Sequence, residues 1–245
     1  MKSRLLVTVC AACLLLQSAG AKEKEAPGHV VDSGSFGVYT SGQRVATETF
    51  SIKKSAEGTL VTSEFKSEQG EQKAIQSSEL DLTPTVELRK YQWKESSPER
   101  VEASVAPSDT FLIEHFGNGD GKQHEQNFLL PASTSIIDDY FFIQREVLAW
   151  KYLASSCREV KGALQCPLNQ KTQFGTLNPH ARSSMPVSIE FAGRDKLPIR
   201  GTQRDLLKFV LKAETGDWAF WLDDHDQFKL IRLQADGEPT EVIRD

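Results

Sequence analysis

Short runs in which apolar and polar residues alternate, separated by turn residues, repeat along most of this chain. Residues 44–52 show the pattern. Ala46, Glu48, Phe50 and Ile52 fall on one face and Val45, Thr47 and Thr49 on the other, the period of two that a half-buried strand requires. Similar strands are predicted at 36–39, 59–65, 74–82, 85–93, 99–105, 187–191, 206–213, 218–222, 228–234 and 240–243. Residues 111–116 and 123–130 read as a hairpin around the Gly117-Asn118-Gly119-Asp120-Gly121 tip, which is rich in residues that tolerate positive φ. The stretch 167–186 reads as irregular.

One segment breaks the alternation. Between Ser135 and Ala154, Ile137, Tyr140, Phe141, Gln144, Val147, Leu148 and Tyr152 recur near a period of 3.6, and Phe142, Ile143 and Trp150 widen the apolar stripe to most of the circumference. A helix over 135–154 is predicted, with Ser135 as N-cap and Asp138 and Asp139 at the positive end of the dipole. Such a helix is buried on more than one side, either as a plain core element or as the lining of a hydrophobic groove. The fold class that follows is mainly β: a large curved antiparallel sheet, a half-barrel, wrapping one long helix.

The first residues read differently. MKSR is basic, residues 5–16 are apolar, and Ala19-Gly20-Ala21 is a small-residue cleavage site, so residues 1–21 are predicted to be a secretory signal peptide. Residues 22–33 are expected to be a flexible lead-in and 34–245 a single β-rich domain. The expected location is exported, periplasmic or extracellular. Removing Lys2 and Arg4 moves the net charge from −5 to −7. That acidic balance argues against nucleic-acid binding and against electrostatic attraction to an anionic membrane. The helical segment carries too many charges to span a bilayer, so no transmembrane segment is expected after cleavage.

Cysteine use agrees with export. Beyond the signal, two cysteines remain, Cys157 and Cys166, with Lys161-Gly162 at the midpoint between them. A two-residue turn there sets them opposite each other on paired strands, so a disulfide is expected. Their spacing suits neither a CxxC redox pair nor a zinc site.

Gly42, Ala46, Thr47, Glu48 and Phe50 near the start, with Trp221, Leu222, Asp223, Leu230, Ile231 and Arg232 near the end, resemble bacterial exported domains of unknown function. Those domains are similar in outline to the LolA/LolB-like lipoprotein-carrier half-barrel, in which a curved sheet holds a helix on its apolar concave side. The resemblance implies a hydrophobic groove and no catalytic residues.

Candidate chemistry is sparse. Val30-Val31-Asp32-Ser33-Gly34-Ser35 resembles the active-site loop of aspartic proteases, but that chemistry needs two aspartates sharing a proton and no second such loop follows. Asp223 to Asp226 read as a solvated turn. A hairpin centred between Gly119 and Asp120 would face His115 toward His124 across two strands, a metal pair lacking a third ligand. There is no G-x-S-x-G elbow and no phosphate-binding loop. No metal and no cofactor are expected, and the chain reads as a non-catalytic binding or carrier module for a lipid or other apolar ligand. Phe50, Trp93, Phe141, Leu148, Trp150 and Trp221 are the predicted lining. The alternatives are an envelope protein acting through protein contacts and, third, a hydrolase using Asp32.

Overall fold

The computed structural model describes residues 28–70, 73–118, 121–161 and 163–245. The predicted signal peptide lies outside them. The first eight strands follow one another as an antiparallel meander: β1 (His29–Thr40), β2 (Gln43–Lys54), β3 (Thr59–Ser67), β4 (Ile75–Leu82), β5 (Leu88–Ser97), β6 (Val101–Ser108), β7 (Phe111–Asn118) and β8 (Gln123–Phe128). The chain then crosses the concave side through β9 (Ser135–Ile136), α1 (Ile143–Ser156) and a small hairpin of β10 (Arg158–Val160) and β11 (Ala163–Gln165). It returns as a second meander: β12 (Lys171–Asn178), β13 (Ser183–Ile199), β14 (Thr202–Ala213), β15 (Gly216–Asp223), β16 (Lys229–Ala235) and β17 (Thr240–Arg244).

The two meanders join where the first strand meets the last. β1 pairs antiparallel with β17, Phe36 opposite Arg244 and Val38 opposite Val242, so among the described residues fifteen strands form one sheet with β8 and β9 at its ends. The predicted half-barrel wrapping a helix is therefore the observed fold. Inward-facing residues of both meanders pack with α1 into a core that includes Phe36, Phe50, Ile52, Tyr91, Val105, Ile143, Tyr152, Phe209 and Leu233. The alternation read from 44–52 holds in β2, where Ala46, Glu48, Phe50 and Ile52 are all buried. The tight β2–β3 turn requires glycine: a Cβ on Gly58 would lie 2.0 Å from the Leu82 carbonyl oxygen.

The helix begins later than its periodicity suggests. It spans Ile143–Ser156, not 135–154, and Ser135 is not its N-cap. Ser135 and Ile136 instead form a parallel bridge to Thr176 and Leu177 of β12. The next residues are held by long-range bonds: the Ile137 N–H donates to the Leu177 carbonyl at 3.0 Å, and the wholly buried Asp138 meets Tyr91 of β5 and His180 of the β12–β13 turn. An apolar run buried on all sides looks helical in periodicity whether or not it is helical. Two other expectations shift. The lead-in ends before residue 33, since β1 starts at His29 and Asp32 is buried. The stretch predicted as irregular contains β12, whose sequence KTQFGTLN has few apolar residues and which β13 orders through backbone pairing.

The expected disulfide is present. Cys157 and Cys166 bridge at the base of the β10–β11 hairpin, with Cα atoms 4.3 Å apart and Val160 opposite Ala163 across the Lys161 turn. Closing so short a loop stabilises by ~2 to 3 kcal/mol in the chain-entropy model. Cys157→Ser should lower the melting temperature by roughly 5 to 10 °C in non-reducing buffer. A free thiol at Cys166 in the native protein would contradict the bridge.

Candidate functional site

The helix is fastened at its N-terminal end by a residue from the opposite side of the sheet. Phe142 occupies the N-cap position and supplies no side-chain cap. Glu48, projecting inward from β2, does that work: Oε2 accepts the Phe142 N–H at 2.7 Å, and Oε1 accepts the Ile143 N–H at 3.3 Å and the Ser63 hydroxyl at 2.7 Å. Burial raises the Glu48 carboxyl to about 7, against the pull of those donors and of Arg145.

Beside this cap a groove of about 340 Å³ opens between α1 and the second meander. Phe142, Met185, Val187, Leu211 and Trp218 give it apolar walls. Arg145 is its inner cation. The guanidinium is buried, donates to the Asp138 carbonyl at 3.1 Å, and lies 5.1 and 5.6 Å from the Phe142 and Trp218 ring centroids. Asp139, Asp217, Asp236 and Glu238 line the same groove, so its solvent side is acidic.

Against the first turn of the same helix sits a second charged cluster, built around the residue singled out for hydrolysis. Asp32 is buried at the β1–β17 seam. Both its oxygens accept from Arg244, Oδ1 from Nη1 at 3.2 Å and Oδ2 from Nη2, and Lys229 lies 3.7 Å away. Arg244 also donates to the Leu230 carbonyl at 3.1 Å and lies over the Phe36 and Phe50 rings. The neighbouring carboxyl is Glu146 of α1, whose Oε2 accepts the Leu230 N–H at 2.7 Å. Burial first, and the Asp32 charge second, push Glu146 well above the usual carboxyl range. Among the described residues the carboxyl that shares Arg244 with Asp32 is Glu146, not a second aspartate.

The six predicted lining residues separate. Phe50, Phe141 and Leu148 are packed into the core. Trp93 borders a hollow on the concave side. Trp150 is half-buried, its indole N–H donating to the Phe228 carbonyl at 3.3 Å with Lys54 over its ring. Trp221 stands on the convex side, in a small cluster with Ile199, Leu206 and Ile231, because it alternates with the inward Phe220.

The histidine pair does not form. His115 lies opposite Glu125 and His124 opposite Phe116, one residue off the symmetric pairing, which puts the two imidazoles on opposite faces. Asp223, Asp224 and Asp226 are each engaged by a cation: Arg204, Arg194 and Lys229. Among the described residues no group of three or more His, Cys, Asp or Glu could hold a metal, and no helix is long and apolar enough to cross a membrane.

The sequence reading missed Glu114, Asp138, Arg145, Glu146, His180 and Arg244 as functional groups. Glu48 and Glu114 had a legible signal, since each is an acid in phase with an apolar strand face. Glu114 falls between Leu112 and Phe116. The others had none, because what gathers them is separated by tens to hundreds of residues.

No family model matches this chain, and no curated protein matches it. A solved structure does: the crystal structure of a β-barrel-like protein of domain of unknown function DUF1849 from Brucella abortus. It is similar with a TM-score of 0.54 over 89% of this chain and 97% of that one, at 9% identity. The likeness at that identity is one of fold alone, a β-barrel-like architecture.

Proposed function

We propose that this chain is an exported, non-catalytic binding module that holds an acyl chain in the groove beside Arg145. The observation that carries the reading is the groove itself: apolar walls from Phe142, Met185, Leu211 and Trp218 around a buried guanidinium. A hydrocarbon fits the walls, and an acyl carbonyl oxygen would accept from Arg145. The acidic lining selects the head. A free carboxylate would meet Asp139, Asp217, Asp236 and Glu238, whereas a neutral ester would not. The disulfide supports work outside the reducing cytoplasm, and the half-barrel outline supports the carrier-like comparison. Asp32 is a weak candidate for hydrolysis because Arg244 engages both its oxygens.

Native mass spectrometry of protein recovered from its own envelope, followed by organic extraction, tests the reading. A bound acyl ester at about one per chain is expected, and Ala213→Phe, which fills the groove, should abolish it. Protein that stays ligand-free when offered monoacylglycerol would sink the proposal. That outcome would favour a protein acting through protein contacts, a reading supported by the filled centre of the fold, where Phe141, Ile143 and Leu148 have 0–1% exposure.

A further inference from the structure

A hollow of about 390 Å³ lies under the β12–β13 turn, on the concave side of the first meander and apart from the Arg145 groove. Its roof is pinned. The His180 ring lies on Trp93 with 3.8 Å between centroids. Its Nδ1 meets Asp138 Oδ2 at 2.7 Å, and its Nε2 meets Gln76 Oε1 at 2.9 Å. The Gln76 amide nitrogen donates to Glu95 at 3.1 Å, which leaves its oxygen for the ring. Asp138 in turn accepts the Tyr91 hydroxyl at 2.6 Å. A turn held by this many bonds is a built wall, not a passing contact.

The floor is chemically incomplete. Glu114 projects inward from β7 at 0% exposure, and neither carboxyl oxygen meets a hydrogen-bond donor among the described residues. The indole N–H of Trp93, also buried, meets no acceptor among them. Burial raises the Glu114 carboxyl to about 7, with Arg182 pulling the other way. Arg182 is exposed at the mouth, its guanidinium 4.5 Å from the centroid of Phe116, and Phe116 stacks on His124. A buried acceptor and a buried donor left unmet in one hollow are costly unless a ligand completes them.

We propose that this hollow binds a free α-amino acid, with the ammonium on Glu114 and the carboxylate on the Trp93 N–H and Arg182. The charges select that class. A simple cation would leave the indole N–H unmet and approach Arg182. A simple anion would face Glu114. A zwitterion meets all three groups, its ammonium on the buried carboxyl and its carboxylate on the indole N–H and the guanidinium. This site does not depend on the acyl groove.

Calorimetric titration of the purified protein with a panel of common free amino acids tests it, alongside their N-acetyl and C-terminal amide derivatives. At least one free amino acid should saturate the protein. N-acetylation and Glu114→Gln should each weaken it by about tenfold or more, and amidation and Arg182→Gln should weaken it by several-fold. Arg182 is exposed, so Arg182→Gln keeps the fold even if Glu114→Gln does not, and it carries the test alone. No binding by any free amino acid up to ~10 mM, or binding indifferent to Arg182→Gln, would overturn the assignment.

Discussion

Arg244→Met should lower the melting temperature by roughly 10 °C or more. The guanidinium is the main cation on two buried carboxyls, Asp32 and Glu146, and it also donates to Leu230 and covers the rings of Phe36 and Phe50. Removing one partner of a buried ion pair costs about 3 to 5 kcal/mol, because the remaining charge has lost both water and its counterion. For a domain of this size each kcal/mol moves the transition by roughly 2 to 4 °C. The double variant Asp32→Asn/Arg244→Met should recover part of the loss, since the stranded charge goes with its partner. Thermal unfolding of the two single variants and the double variant completes the cycle. Additive losses would show that the pair is not coupled, and an unchanged Arg244→Met would show that the seam does not depend on it. The same geometry predicts that Asp32→Asn destabilises the protein, whereas a catalytic Asp32 would lose activity with the fold intact.

Glu48→Ala should lower the melting temperature by roughly 6 to 12 °C, reflecting about 3 kcal/mol. It strips the acceptor from two backbone N–H groups at the start of α1 and from the Ser63 hydroxyl, all buried. Glu48→Gln keeps one side-chain oxygen and should cost much less. The effect depends on pH. Glu48 and Glu114 are both raised to about 7 from 4.5 by burial. Between those values the folded protein binds more protons than the unfolded chain, so stability falls as pH rises through the window and levels off above it. Each carboxyl accounts for at most ~3 kcal/mol of that fall. Asp195, Asp224 and Asp245 are lowered and act the other way, their contributions lost only as pH falls below the ordinary aspartate range. The melting temperature should peak near pH 5 and decline toward pH 8. Glu48→Gln should flatten the decline, and Glu48→Ala should cost more at pH 5 than at pH 8. A wild-type curve that rises from pH 5 to 8 would contradict the assigned burial of both acids.

Much of this architecture is legible in the sequence because it is encoded between neighbours. Alternation in 44–52 specifies which residues of β2 face inward, and that includes Glu48. Lys161-Gly162 between two cysteines specifies a hairpin and its disulfide, since turn residues and cysteine spacing act over a handful of positions. A run of such strands around one apolar segment specifies a large sheet wrapping a helix.

What only the tertiary structure decides is set by partners far away in sequence. The helix starts at Ile143 because Glu48, 94 residues from Phe142, accepts its first N–H groups, and because Ser135 and Ile136 are drawn into a bridge with β12. His115 and His124 part because the β7–β8 register falls one residue from the symmetric choice, and one residue exchanges the faces of a strand. Trp221 lies outside for the same parity reason. Asp32 meets Arg244 across 212 residues only once β1 pairs with β17, and His180 reaches Gln76 across 104 only once the second meander folds over the first. Local pattern determines which face a residue takes, while hydrogen-bond partners across the sheet determine where elements begin and which buried charges meet.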